Sequence, residues 1–127
     1  MFDFEGFAKE NAEFCLNDTS SVDADILEMV ASETLKADKS FLCKLMANHT
    51  ALDWREIIKT MTIPCLNCVG KATRVFAFEG VEKVSSLLTS STNVETAYFD
   101  SGHWLYIEEA DRFNRVVVEF AKKHAAR

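Results

Sequence analysis

The sequence lacks both a long apolar run and an excess of basic residues. Its uninterrupted apolar stretches are only a few residues long, far short of the ~20 residues that cross a bilayer. Its 127 residues contain 14 Lys and Arg against 20 Asp and Glu, and residues 1–62 hold twelve acids and six bases. Because nucleic acids and anionic membranes favour clusters of Lys and Arg, we expect neither as a partner.

The amino terminus also lacks the features of a secretory signal. Residues 1–5 read MFDFE, with neither a basic region nor the apolar region that would follow it. We therefore expect a cytoplasmic protein. In that compartment the four cysteines of the chain are most simply free thiols.

Two of the cysteines, Cys65 and Cys68, form the pattern C-x-x-C, which is compatible with a redox pair or with half of a zinc site. They lie in residues 63–69, a segment that reads as a strand, and strand positions three apart point to opposite faces. A zinc site needs a second ligand pair, whereas Cys15 and Cys43 have no paired spacing. We interpret the cysteines as buried structural residues and expect no metal and no cofactor. A redox or metal role is the alternative.

The length and periodicity of the chain favour one α/β unit with two different halves. Residues 1–62 read as helical throughout, with Ser20 and Asp23 as a weak capping box and Asp53 as a later N-cap. Residues 63–127 read as strand–helix–strand–helix, with strands over 63–69 and 95–99 and helices over 78–88 and 111–124. Two strands joined through a helix form a parallel pair, so we predict a short parallel sheet.

A histidine lies at the turn after the second predicted strand. Residues 101–104 read Ser-Gly-His-Trp, and an amphipathic helix follows them. An imidazole at such a turn can be exposed and act as a general base, which makes His103 the candidate catalytic residue. Glu108 and Glu109 open the last predicted helix, where acids interact favourably with the helix dipole.

These residues resemble the C-terminal half of an α/β-hydrolase. The resemblance rests on LDWR at residues 52–55, Ile63-Pro64, the strand ending at Gly70, GHW at residues 102–104, Glu108-Glu109, Phe113 and Phe120. It implies a partial α/β-hydrolase fold with a helical cap-like region over residues 1–62 and the C-terminal part of the core over residues 63–127. It also implies hydrolysis of ester or similar small acyl substrates by a Ser-His-acid mechanism without a cofactor. His103 would be the catalytic histidine, and Trp104 and Tyr106 would lie near the substrate pocket.

The sequence departs from this family in two ways. It contains no G-x-S-x-G, the motif of the turn that presents the nucleophilic serine. Thr73 stands three residues after Gly70, where many members carry the triad acid, and Asp100 is only a weak candidate for an acid that orients His103. We therefore expect a truncated hydrolase that is inactive alone. It would bind a small-molecule substrate only when a missing N-terminal half completes it.

A second interpretation is a non-catalytic module derived from the hydrolase fold, which oligomerises or binds a partner. In a full hydrolase the strand over residues 63–69 would pair with an upstream strand, and this chain does not supply that neighbour. Unpaired apolar strand edges are commonly covered by another chain. We therefore expect a homo-oligomer that forms through this strand edge or through the cap helices.

Overall fold

A computed structural model describes residues 3–125 of the chain. Its first half is helical, with α1 (Phe4–Cys15), a 3-10 turn (Thr19–Ser21), α2 (Ala24–Leu35), α3 (Lys39–Ala51) and α4 (Arg55–Lys59). Its second half contains β1 (Cys65–Gly70), α5 (Phe78–Leu87), β2 (Val94–Phe99), α6 (Leu105–Glu108) and α7 (Ala110–His124). The predicted α/β class with a short parallel sheet is confirmed, and α6 is a short helix that the sequence did not predict. No helix among residues 3–125 has the length and apolar character needed to cross a membrane.

Aspartates begin the first three α-helices. The side chains of Asp3, Asp23 and Asp38 each accept a hydrogen bond from a main-chain amide in the first turn of α1, α2 and α3, at 2.8 to 3.0 Å. Such a cap typically adds ~1 kcal/mol to the stability of a helix. The predicted capping box at Ser20 is wrong, because Ser20 lies in the 3-10 turn and Asp23 caps α2.

The fourth helix begins two residues after Asp53, and Trp54 is its N-cap. Asp53 instead accepts a hydrogen bond from the Arg55 amide at 3.0 Å and pairs with the Arg55 guanidinium at 2.6 Å. The side-chain hydrogen bonds from Arg55 lower the pKa of Asp53 to about 2. Asp53 therefore still marks the start of α4, although it precedes the N-cap residue by one position.

The two strands form a parallel pair with an unbroken register from Cys65 opposite Val94 to Gly70 opposite Phe99. α5 connects them and packs on the sheet, where the amide nitrogen of Asn67 donates to the carbonyl of Val81 at 3.0 Å. α7 packs against Phe99, since the Phe113 and Phe99 ring centroids lie 6.1 Å apart. Helices therefore cover the sheet, as a parallel pair requires.

The helical half packs unevenly. α1 and α2 pack on each other, and the buried residues of this half are Phe4, Ala8, Ala12, Cys15, Leu16 and Ala31. α3 lies in the region predicted to be helical but buries none of its residues, and its apolar side chains Phe41 and Met46 are 64% and 57% exposed. The boundary between the predicted regions 1–62 and 63–127 stays a prediction. The two regions are joined by Arg74, whose guanidinium donates to the carbonyls of Glu13 and Leu16 at 3.0 and 2.7 Å.

Candidate active site

His103 lies in the turn that follows β2, at the carboxyl end of the parallel pair. Its main chain is fixed to the end of α1, because the amides of His103 and Trp104 both donate to the carbonyl of Cys15, at 2.7 and 3.1 Å. The carboxyl ends of parallel strands are where open α/β sheets place their ligand sites. The structure therefore places His103 in a turn between a strand and a helix, as the sequence predicted.

Two glycines let three main-chain segments meet beside this histidine. A Cβ on Gly102 would lie 2.6 Å from both the amide nitrogen of Asn17 and the carbonyl oxygen of Cys15. A Cβ on Gly70 would lie 2.0 Å from the carbonyl oxygen of Gly102. Contacts this short leave no room for any side chain. The histidine turn is therefore held between the end of β1 and the loop after α1.

Glu108 of α6 ties the same segments together by hydrogen bonds. Its Oε2 accepts from the Gly102 amide at 2.6 Å, and its Oε1 accepts from the Asn17 and Asp18 amides at 2.8 and 3.0 Å. Sequence reasoning assigned this acid a helix-dipole role and missed the bridge. The only sequence signal was an acid five residues after the histidine, and the two amides of the loop are about ninety residues away.

The imidazole of His103 is half-buried and faces an aromatic ring. The centroids of His103 and Phe76 lie 5.5 Å apart, and the ring planes meet edge to face at 68°. Burial lowers the pKa of His103 below its ordinary value, because a low-dielectric environment disfavours the charged form. At neutral pH the ring is therefore mainly neutral, which is the state that a general base needs.

His103 lies at a cleft of about 550 Å³ whose walls are mostly apolar. Thr73 lines the same cleft, and so do Phe76, Val81, Val84 and Leu105. The fold therefore places Thr73, the position at which the resemblance expects the triad acid, in the same cleft as His103. The residue there is a hydroxyl, however, and a hydroxyl cannot stabilise an imidazolium by charge.

Asp100 points to a different partner. Its Oδ1 accepts from the ammonium of Lys71 at 2.7 Å, and that hydrogen bond lowers the pKa of Asp100. The side chain is largely exposed, and among residues 3–125 no hydrogen bond joins it to His103. The orienting role of Asp100 stays a prediction, with an ion pair to Lys71 as its observed contact.

The two predicted pocket aromatics lie outside this cleft. Leu105 lines it, whereas its neighbours Trp104 and Tyr106 do not. The ring of Tyr106 packs against Phe113 of α7, with centroids 6.1 Å apart, and is about half exposed. The role of Trp104 and Tyr106 near a substrate stays a prediction, because neither lines the cleft at His103.

The four cysteines are free, and the pair at positions 65 and 68 lies in β1 as predicted. The prediction that the cysteines are buried holds for Cys15 alone, because Cys43 is exposed and Cys65 and Cys68 are half-buried. Burial raises the pKa of the Cys68 thiol. A raised pKa leaves little thiolate at neutral pH, which makes Cys68 a poor nucleophile. Within the described part of the chain, no three side chains of the metal-binding types cluster.

Comparisons with known proteins identify the fold. No protein-family model matches the sequence, and no curated protein matches it. Among solved structures, the chain is similar to the crystal structure of a His-tagged serine hydrolase involved in carbazole degradation, the CarC enzyme. The two share 20% sequence identity with a TM-score of 0.72, over 95% of this chain and 48% of the hydrolase. The chain therefore has the fold of part of an α/β-hydrolase and spans about half the length of that enzyme.

Proposed function

We propose that this chain is the part of a serine hydrolase that carries the general base, His103. The nucleophilic serine would come from polypeptide outside these 127 residues, and the substrates would be esters or similar small acyl compounds. The observation that carries the proposal is the half-buried imidazole at the carboxyl end of the parallel pair, at the edge of an apolar cleft. The similarity in fold to a serine hydrolase supports it.

In this mechanism the neutral His103 ring takes the proton of the serine hydroxyl as that oxygen attacks the acyl carbon. The imidazolium then gives the proton to the leaving group, and a second cycle with water releases the acid product. Burial of His103 keeps the ring unprotonated between cycles. The apolar cleft beside His103 would keep bulk water away from the imidazole while the proton is transferred.

The acid of the triad would also come from outside the chain. Thr73 is at the expected position but carries no charge, and the carboxylate of Asp100 is occupied by Lys71. Loss of the acid alone typically lowers kcat about 10⁴-fold, and without the nucleophilic serine no acyl-enzyme can form. The chain alone would therefore be inactive. A cytoplasmic location belongs to the same proposal and is supported by the four free cysteines.

Labelling with a fluorophosphonate, which reacts with activated serines, tests the proposal. The native assembly that contains this chain would be isolated through a tag placed after residue 127. We expect labelling of a serine outside the 127 residues, and a loss of about 10³-fold or more in labelling rate in His103→Ala. The exposed His49→Ala is the matched control. Labelling within the 127 residues, or a rate independent of His103, would contradict the proposal.

The second candidate is a non-catalytic module that forms homo-oligomers through the cap-like helices. The observation in its favour is the apolar face of α3, where Phe41, Leu45 and Met46 are each at least half exposed. Exposed apolar clusters often mark interfaces. Light scattering would report a dimer or larger species in this case, and Leu45→Lys would convert it to the monomer. A monomer at high concentration would exclude it.

A further inference from the structure

The loop after β1 carries two residues of the candidate active site. Thr73 and Phe76 both line the cleft of His103, and the Phe76 ring meets the imidazole edge to face, with 5.5 Å between the centroids. We call residues 71–77 the β1 loop. Because Phe76 covers one side of the imidazole, whatever holds this loop in place also sets the solvent exposure of the general base.

The β1 loop is held by main-chain hydrogen bonds in its first part only. The amide of Ala72 donates to the carbonyl of Ser101 at 3.0 Å, next to the histidine turn. Residues 74–76 are irregular, and within the described part of the chain their amides and carbonyls form no hydrogen bond to another segment. Main chain of this kind is displaced easily, so the position of Phe76 depends on a side chain that ties the loop down.

Arg74 is the side chain that joins this part of the loop to α1. Its guanidinium donates to the carbonyls of Glu13 and Leu16 at 3.0 and 2.7 Å, and it lies 5.3 Å from the centre of the Phe14 ring. The last turn of α1 contains no basic residue of its own. Because the last carbonyls of a helix have no partner within it and interact favourably with cations, Arg74 occupies a position that α1 leaves open.

The same end of α1 holds the histidine turn. The carbonyl of Cys15, which lies between the two acceptors of Arg74, accepts hydrogen bonds from the amides of His103 and Trp104. Residues 13–16 therefore anchor both the β1 loop and the turn after β2. Phe76 and His103, which face each other across the cleft, are positioned by a single short segment.

The acids near Arg74 do not account for its position. Glu10, Glu13 and Asp18 line a surface cleft together with Arg74. Among residues 3–125, however, the guanidinium forms no ion pair with a carboxylate, and its hydrogen bonds go to main-chain carbonyls. Arg74 therefore acts on the path of the main chain rather than as a member of a surface ion pair.

We propose that Arg74 is a positioning residue of the candidate active site, which fixes the β1 loop to the end of α1 and so keeps Phe76 against His103. This inference rests on the proposed function and adds a residue that touches neither the substrate nor the transferred proton. Arg74 acts through Phe76, whose ring shields the imidazole from solvent. Loss of the guanidinium would release residues 74–76 and open this side of the cleft.

NMR spectroscopy of the chain tests the proposal with two readouts, the NOE between the Phe76 and His103 rings and the titration of the imidazole. We expect Arg74→Ala to abolish the NOE and to raise the pKa of His103 toward its ordinary value, because burial is what lowers it. The substitution leaves unchanged the titratable side chains around the histidine turn, Cys15, Cys68 and Glu108. An NOE that persists in Arg74→Ala would overturn the proposal.

Phe76→Ala separates the position of Arg74 from its charge. This substitution keeps the guanidinium but removes the ring, so it should raise the pKa of His103 as much as Arg74→Ala does. The double substitution should then add nothing to either single one. A further rise in the double substitution would mean that Arg74 acts through its charge, which would overturn the proposal.

Asp3→Ala is the matched control for stability. It removes the N-cap of α1 and so weakens the same helix at the end far from the histidine turn. The NOE and the titration of His103 should both stay unchanged. An effect equal to that of Arg74→Ala would show a general loosening of the helical half and would overturn the proposal.

Serine labelling of the tagged native assembly separates this proposal from the proposed function. We expect Arg74→Ala to slow the labelling by as much as about 100-fold, since a misplacement of ~1 Å around a reacting group can have that effect. A labelled serine whose rate is independent of Arg74 would leave the proposed function standing and reject the positioning role. No labelled serine in the unsubstituted assembly would reject the proposed function, whereas the NOE in the chain decides by itself whether Arg74 positions Phe76.

Discussion

The Oε2 atom of Glu108 accepts a hydrogen bond from the Gly102 amide at 2.6 Å, directly before the catalytic candidate His103. Through its other oxygen the same carboxylate holds the amides of Asn17 and Asp18. One side chain therefore satisfies three amides and joins the helical half of the chain to the histidine turn. Hydrogen bonds to a charged acceptor are worth ~1.5–3 kcal/mol each when they replace water.

We expect Glu108→Gln to destabilise the chain by about 2 kcal/mol. The substitution removes the charge and replaces one acceptor oxygen by an amide group that can only donate, which leaves a main-chain N–H without its partner. Urea unfolding measures the change. Glu119→Gln, at an exposed site on α7, is the control and should stay within ~0.5 kcal/mol of the unsubstituted chain. Equal effects of the two substitutions would show that the bridge does not stabilise the fold.

We expect Gly102→Ala to destabilise the chain strongly. Its Cβ would lie 2.6 Å from main-chain atoms of Cys15 and Asn17, which cannot rotate away, so the loop after α1 would have to move. Overpacking of this kind costs about 3 kcal/mol. Gly80→Ala in α5 is the matched control, because nothing lies within 4 Å of the added Cβ and alanine favours a helix by ~1 kcal/mol. The two substitutions should therefore shift the urea midpoint in opposite directions.

We expect the stability of the chain to depend on pH through His103. Because burial lowers its pKa in the folded state, the unfolded chain binds more protons between the folded and ordinary pKa values. Stability therefore rises with pH through this window and is lost as the pH falls below the ordinary histidine value. Urea unfolding at a series of pH values should give a smaller slope for His103→Gln. An unchanged slope would mean that His103 is not the group responsible.

We expect Thr73→Asp to raise the pKa of His103. Both residues line one cleft, and a carboxylate there favours the imidazolium by its charge. Titration of the imidazole by NMR measures the shift. Thr73→Asn, which has nearly the same shape without the charge, should leave the titration where it is. If Asp and Asn act alike, the position does not face the histidine as a triad acid would.

Much of the local structure could be predicted from the sequence. The apolar spacing of α5 and the run of β2 gave their positions to within a residue, and the Ser-Gly-His-Trp turn was placed correctly between a strand and a helix. These features depend on residues near each other in the chain. A periodic apolar face, a capping aspartate and a glycine at a turn act within one or two turns of main chain.

The site's construction could not be predicted in the same way. The Glu108 bridge depends on which amides of the loop after α1 remain unpaired, about ninety residues away. The exposure of Phe41 on α3 could not be foreseen, because periodicity shows that a face is apolar but not whether anything packs on it.

The sequence by itself therefore determined the helical first half, the parallel pair with its connecting helix and the position of His103, because local propensity and capping specify them. Only the tertiary structure decided that Thr73 shares the cleft of His103, that Gly70 and Gly102 pack main chain on main chain, and that β2 is the one strand that pairs with β1 among residues 3–125. These features arise where distant segments meet, and their hydrogen bonds and contacts are fixed by packing rather than by sequence spacing.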